Sequence, residues 1–128
     1  MSEEHTELVA SVVEYIKRKN WVTFPEIGRV VEKAGMNPRG PMDVTDAEDA
    51  NLIYWRNISE EFISLLKQVV DSPEIEVNSG GCLAYFIDGE TLNLPLAKRL
   101  PKGGYKKPHW LPMYYCRLGT TPSLRAKK

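Results

Sequence analysis

Residues 74–87 read EIEVNSGGCLAYFI, and whether this stretch is a hairpin decides which fold the chain takes. Glu74-Ile75-Glu76-Val77 alternates polar and apolar residues with the period of a half-buried strand. Asn78-Ser79-Gly80-Gly81 is a run of turn formers, and Cys82–Ile87 is an apolar run of strand length. Asp88-Gly89 follows as a second turn signal. The stretch is predicted to be an antiparallel hairpin, with residues 82–87 as its return strand.

Three helices are predicted upstream. Leu8, Val9, Val12, Val13 and Ile16 fall on one stripe of 3.6-residue spacing between Thr6 and Asn20. Lys17, Arg18 and Lys19 close that helix, where cations suit the negative end of the macrodipole. Trp21–Phe24 is a short β-prone segment. Thr23-Phe24-Pro25-Glu26 is a capping-box pattern with proline in the first turn. It opens a second helix whose buried face is Ile27, Val30, Val31 and Ala34, with Gly35 as the stop. Residues 36–49, MNPRGPMDVTDAED, are dense in turn formers and read as a loop, with Thr45 and Glu48 as caps of a brief helical turn. Leu52–Trp55 favours a strand over an extension of that turn. Ser59 is the N-cap of a third helix, with Glu60 and Glu61 in its first turn. Phe62, Ile63, Leu65, Leu66, Val69 and Val70 form its apolar face, and Asp71-Ser72-Pro73 ends it.

The order helix, short strand, helix, loop, helix, hairpin resembles the winged helix-turn-helix class over residues 6–90. TFPEIGRVVEKAG stands as the second helix, SEEFISLLKQVV as the third and EIEVNSGGCLAYFI as the wing. The resemblance rests on layout. It implies an α+β fold: a winged helix-turn-helix-like three-helix domain with a small antiparallel sheet or wing at residues 1–96, then an extended basic C-terminal arm at residues 97–128. Many members of the class set the third helix in the major groove of DNA and the wing on a neighbouring groove or backbone. Others are protein-interaction modules. The chain departs from the DNA-reading pattern. Glu60, Glu61 and Asp71 share the exposed face of the third helix with Lys67, and Glu74 and Glu76 lie on the wing; all of these acids repel phosphate.

The net charge of zero conceals a division along the chain. Residues 1–90 hold 8 Lys and Arg against 17 Asp and Glu, a net of −9; residues 91–128 hold 9 Lys and Arg and no acid, a net of +9. Such asymmetry points to a polyanionic partner or to a basic segment folded on an acidic body. The candidate nucleic-acid contacts are Lys17, Arg18 and Lys19 at the end of the first helix, Lys67 on the third, and Lys98, Arg99, Lys102, Tyr105, Lys106, Lys107 and Arg117 in the arm. Arg125, Lys127 and Lys128 extend the charge into a frayed basic end. Cations that neutralise phosphates release condensed counterions, and aromatic rings among them can stack on unpaired bases. The run His109–Tyr115 is too apolar for a solvated tail, so Trp110 is assigned to packing. Five of the nine prolines fall in residues 91–128 and favour an extended path.

No catalytic constellation is present. His5 and His109 are the only histidines, and no HExxH, CxxC or glycine-rich phosphate loop occurs. Asp46, Glu48 and Asp49 read as a solvated acidic turn and not as a metal site. Cys82 and Cys116 each read as a buried, unreactive thiol. No cofactor, metal or membrane span is expected, and the acidic N-terminus argues for a cytoplasmic location. The expectation is a non-enzymatic nucleic-acid-binding protein, with DNA favoured over RNA, serving as a transcriptional regulator or accessory factor. The alternative is a protein-interaction module in which the arm wraps a partner or a sister subunit in a homodimer.

Overall fold

The computed structural model describes residues 3–120, and the side chains from residue 6 onward. The basic end at 121–128 and the side chain of His5 lie outside this range. Over the described residues the chain is a mixed α+β structure with four helices and two small sheets. None of the described helices is long and apolar enough to cross a membrane.

Helix α1 spans Glu3–Lys19 and buries Val12, Val13 and Ile16. It ends in two consecutive left-handed residues, Asn20 (φ 62°) and Trp21 (φ 53°). That conformation is strained for a bulky side chain. The strain is offset by the Asn20 carboxamide oxygen, which accepts from the backbone N–H of Trp21 (3.2 Å) and Arg117 (2.9 Å) and from the Thr120 hydroxyl (3.2 Å). Helix α2, Phe24–Lys33, starts at the expected capping box: Thr23 accepts from the Glu26 N–H, and Glu26 accepts from the Thr23 N–H. It ends at Gly35 (φ 99°), where the Gly35 N–H donates to Glu32 O and the Met36 N–H to Val31 O. This is a Schellman closure, which seats Met36 in the core.

The segment read as a loop after α2 holds a strand. β1, Arg39–Thr45, pairs antiparallel with β2, Leu52–Ile58. The turn formers in β1 do not prevent pairing, because the register is broken by bulges in which both Arg39 and Met42 lie opposite Ile58. Asn57 takes φ 62° at this irregularity. Helix α3, Glu60–Val70, follows at once, capped by Ser59, whose hydroxyl accepts from the Phe62 N–H at 3.0 Å. Phe62, Leu65, Leu66 and Val69 are buried, while Glu60, Glu61 and Lys67 are exposed.

The predicted hairpin does not form. β3, Ile75–Ser79, is a strand as expected, but residues 83–88 are helix α4, Leu83–Asp88. A strand would place Leu83, Tyr85 and Ile87 on one face. Instead Tyr85 alone is buried, and Leu83 and Ile87 are 70% and 77% exposed. Asp88-Gly89, read as a turn, is the helix end, with Gly89 at φ 77°. A short apolar run cannot be assigned by periodicity alone, and here the partner decides. β3 pairs with β5, Met113–Arg117, in antiparallel register from Ile75↔Arg117 to Ser79↔Met113. Val22 bridges the other edge of β5 at Tyr115. β5 is therefore central, with Val22 and β3 at its sides.

The chain beyond Leu96 is threaded into the body. β4, His109–Trp110, pairs in parallel with Leu52–Ile53 of β2, and Leu96 bridges Trp110 on its other side. Trp110, Tyr114, Tyr115 and Cys116 are all buried. Packing as the role of Trp110 follows directly: its ring lies 5.2 Å from Tyr85 and 6.0 Å from Trp55. Among the described residues, its Nε1 is the one buried side-chain polar atom without a partner. Burying aromatics of this size contributes roughly 1.5–3 kcal/mol each, which accounts for an arm that is core rather than tail over residues 109–117.

Candidate nucleic-acid interface

The candidate basic residues fall into three places. Lys98, Arg99, Lys102, Lys106 and Lys107 lie on one loop between the Leu96 bridge and β4, and all five are exposed. Among the described residues, none of the five makes an ion pair. The like charges are held together by hydrogen bonds of the loop rather than by ion pairs. Gly104 N–H donates to Pro101 O at 3.1 Å, with Gly103 and Gly104 both left-handed (φ 79° and 83°). The Tyr105 hydroxyl donates to the Arg99 carbonyl.

The loop is also tied to the turn between β1 and β2. Asp49 accepts from the Tyr105 N–H at 2.9 Å and from the Asn51 N–H at 3.0 Å. The Asn51 carboxamide donates to Tyr105 O at 2.8 Å, and the His109 N–H donates to Asn51 O at 2.7 Å. Gly104 has to be glycine for two reasons: its φ is positive, and a Cβ there would lie 2.9 Å from an Asp49 oxygen. Asp49, read as part of a solvated acidic turn, is thus the anchor of the loop. Its neighbour Asp46 accepts from the Tyr54 hydroxyl at 2.7 Å, which holds the Asp46 carboxyl below the usual aspartate range. Among the described residues, no group of three or more His, Cys, Asp or Glu is placed to hold a metal.

The second place is the C-terminal end of α1, and most of its charge is engaged. Lys17 pairs with Glu74 at 3.0 Å and with Glu14 at 3.3 Å. Lys19 pairs with the buried Glu26. Arg18 lies 5.6 Å over the Tyr15 ring. Arg117 donates to the Lys17 carbonyl at 2.8 Å, so β5 brings this arm residue to the helix end and not to the loop. Burial alone would raise the Glu26 carboxyl, but donation from Lys19, the Thr23 N–H and the Tyr15 hydroxyl outweighs it and holds the group below the ordinary glutamate range. Lys67, the third place, lies in the last turn of α3, whose first turn carries the exposed Glu60 and Glu61.

A cleft of about 470 Å³ between α2, the β1–β2 hairpin and residues 89–92 collects three further cations, Arg29, Arg39 and Arg56. Each is matched: Arg29 by Asp88 (3.3 Å) and Glu90 (3.9 Å), Arg39 by Glu32 (3.5 Å) and Arg56 by Asp43 (3.3 Å). The cleft carries no uncompensated charge toward an anion, and the 98–107 loop does.

Of the arm's aromatics, Tyr105 is partly exposed, whereas Trp110, Tyr114 and Tyr115 are buried. Tyr105 stacks on His109 with ring centroids 3.8 Å apart and planes 19° from parallel. His109 was not among the sequence-derived candidates. Its nearness to Tyr105 depends on a loop closure that no local pattern announces. Compared with known protein families, curated proteins and solved structures, the chain matches none of them.

Proposed function

We propose that this protein is a non-enzymatic nucleic-acid-binding protein with a winged-helix-like body, and that the 98–107 loop is its principal phosphate contact. The observation that carries the proposal is the set of five exposed cations on one anchored loop without an acidic partner among the described residues. Concentrated unpaired charge on a preformed backbone is poorly explained by stability, since like charges repel, and well explained by a polyanion. The winged-helix reading is supported by the order α1, Val22, α2, α3, β3, β5 and by the arrangement of Val22, β5 and β3 side by side. Two insertions set it apart from the plain layout: the β1–β2 hairpin between α2 and α3, and residues 80–112 between the two wing strands. The acidic face of α3 makes the loop a better candidate than the third helix, and DNA is taken as the first ligand to test, before RNA.

The test uses substitutions, because truncation before β4 and β5 would remove the core strands. Lys98, Arg99, Lys102, Lys106 and Lys107 are replaced together by glutamine. Each phosphate contact contributes about 0.7–0.9 to the slope of log affinity against log salt. The variant is expected to fold, to bind weakly and to flatten that slope by up to about 4. Unchanged affinity and slope would remove the loop from the interface.

A second reading, a homodimeric assembly module, has one observation in its favour. Leu83, Phe86 and Ile87 on α4 are 70%, 66% and 77% exposed. A second copy covering that helix would bury all three. Sedimentation of the wild type beside Phe86→Ser decides it: a dimer that the substitution dissociates supports assembly, and a monomer at all concentrations excludes it.

A further inference from the structure

Resting on the reading above, we infer that the loop takes single-stranded nucleic acid in preference to duplex, with an unpaired base stacked on the Tyr105–His109 pair and phosphates on the surrounding lysines and arginine. The pair is a preformed aromatic platform, with centroids 3.8 Å apart and both rings partly exposed. Two of its polar groups are already satisfied within the loop. The Tyr105 hydroxyl donates to Arg99 O, and His109 Nδ1 lies 2.8 Å from Lys107 O. A carbonyl only accepts, so His109 Nδ1 carries the proton in that contact. The rings are therefore fixed before a base arrives, which removes part of the ordering cost of binding.

The cations are placed by the same bonds. Arg99 presents the carbonyl that receives the tyrosine hydroxyl, and Lys106 and Lys107 lie between the two stacked residues in sequence. A nucleotide stacked on the pair is therefore within a few residues of charge on both sides. Bases in a duplex have their faces covered by neighbours, so a platform of this kind is useful only for a base that has left the stack. Every other large aromatic of the arm is buried, so the stacking capacity of this segment is confined to one position.

The experiment measures binding of the full chain, at low salt, to a fluorescent single-stranded deoxyoligonucleotide of mixed sequence. The same strand is also tested with abasic sites throughout and as a duplex. Stacking on one base is worth roughly 1–3 kcal/mol, so the abasic strand and the duplex should each bind at least about fivefold more weakly than the intact strand. His109→Leu should lose the same factor on the intact strand and nothing on the abasic one, whereas His109→Phe should retain affinity. Because the wild type with the abasic strand already tests the idea, a variant that fails to fold does not rescue it. Equal affinity for intact strand, abasic strand and duplex, all lost in the five-glutamine variant, would overturn the stacking inference and leave the phosphate-binding loop standing. No binding to any of the three would overturn both.

Discussion

Tyr85 separates the helical assignment of residues 83–88 from the strand reading in one set of substitutions. Its side chain is 0% exposed, lies against Trp55, Trp110 and Tyr114 at 5.2, 5.2 and 5.5 Å, and donates to Met113 O at 2.6 Å. Burial raises its hydroxyl pKa far above the ordinary tyrosine value, so it remains a proton donor at every working pH. Replacing a buried aromatic by alanine costs about 3–5 kcal/mol, and loss of the hydroxyl's bonds adds about 1 kcal/mol. With about 2.1 cal/mol/K of unfolding entropy per residue, the whole chain has roughly 0.27 kcal/mol/K. Tyr85→Ala should then lower Tm by about 15–22 °C, and Tyr85→Phe, which keeps the ring, by about 4 °C. Leu83→Ala and Ile87→Ala, on the exposed face of α4, should stay within about 0.5 kcal/mol of the wild type. Urea melts and thermal melts followed by circular dichroism read all four. In a return strand, Leu83 and Ile87 would share the buried face with Tyr85. A loss of 2 kcal/mol or more in either alanine variant would refute α4 and restore the hairpin.

Three further outcomes are expected. Glu26 has a folded pKa below its unfolded value near 4.3, so the stability it contributes is present above that pH and lost as pH falls through the folded pKa. Glu26→Gln should be less stable than the wild type by about 1–2 kcal/mol at pH 7, with the gap closing on acid titration; a gap that widens below pH 4 would contradict the sign. Gly40→Ala would set a Cβ 2.7 Å from the backbone Cα of Ser59 and should cost about 1–3 kcal/mol, while Gly81→Ala, with nothing within 4 Å, should be neutral or slightly stabilising. Cys116 is fully buried, its thiol pushed up by desolvation, and Cys82 is partly exposed, so a native-state thiol titration should count one fast group and a denatured one two.

What could be read from sequence was local. The Thr23–Glu26 capping box, the Gly35 stop and the Ser59 cap are written within four residues of the helix ends they make, and each forms as expected. The apolar stripes of α1 and α3 needed nothing from the rest of the chain. Strand pairing did: β3 takes as its partner residues 113–117, distant in sequence, and not the adjacent residues 82–87, and Val22 lies on the far edge of β5. The same limit applies to the candidate interface. The charge run at 98–107 was visible in composition. Its anchor was not, because Asp49 and Asn51 reach Tyr105 across more than fifty positions of chain.

The position of β5 has a consequence for how the molecule is made. The central strand of one sheet, and the inner strand between β2 and Leu96 in the other, follow in sequence every segment they pair with. Until residue 117 has emerged, Val22, β2 and β3 present open edges, and Tyr85 and Trp55 lack the rings they pack against. Non-local closure of this kind slows folding and prolongs the exposure of edges that can pair with other chains. The body should therefore close only once residue 117 has emerged, and nascent chains halted before residue 109 should be targets for chaperones and proteases.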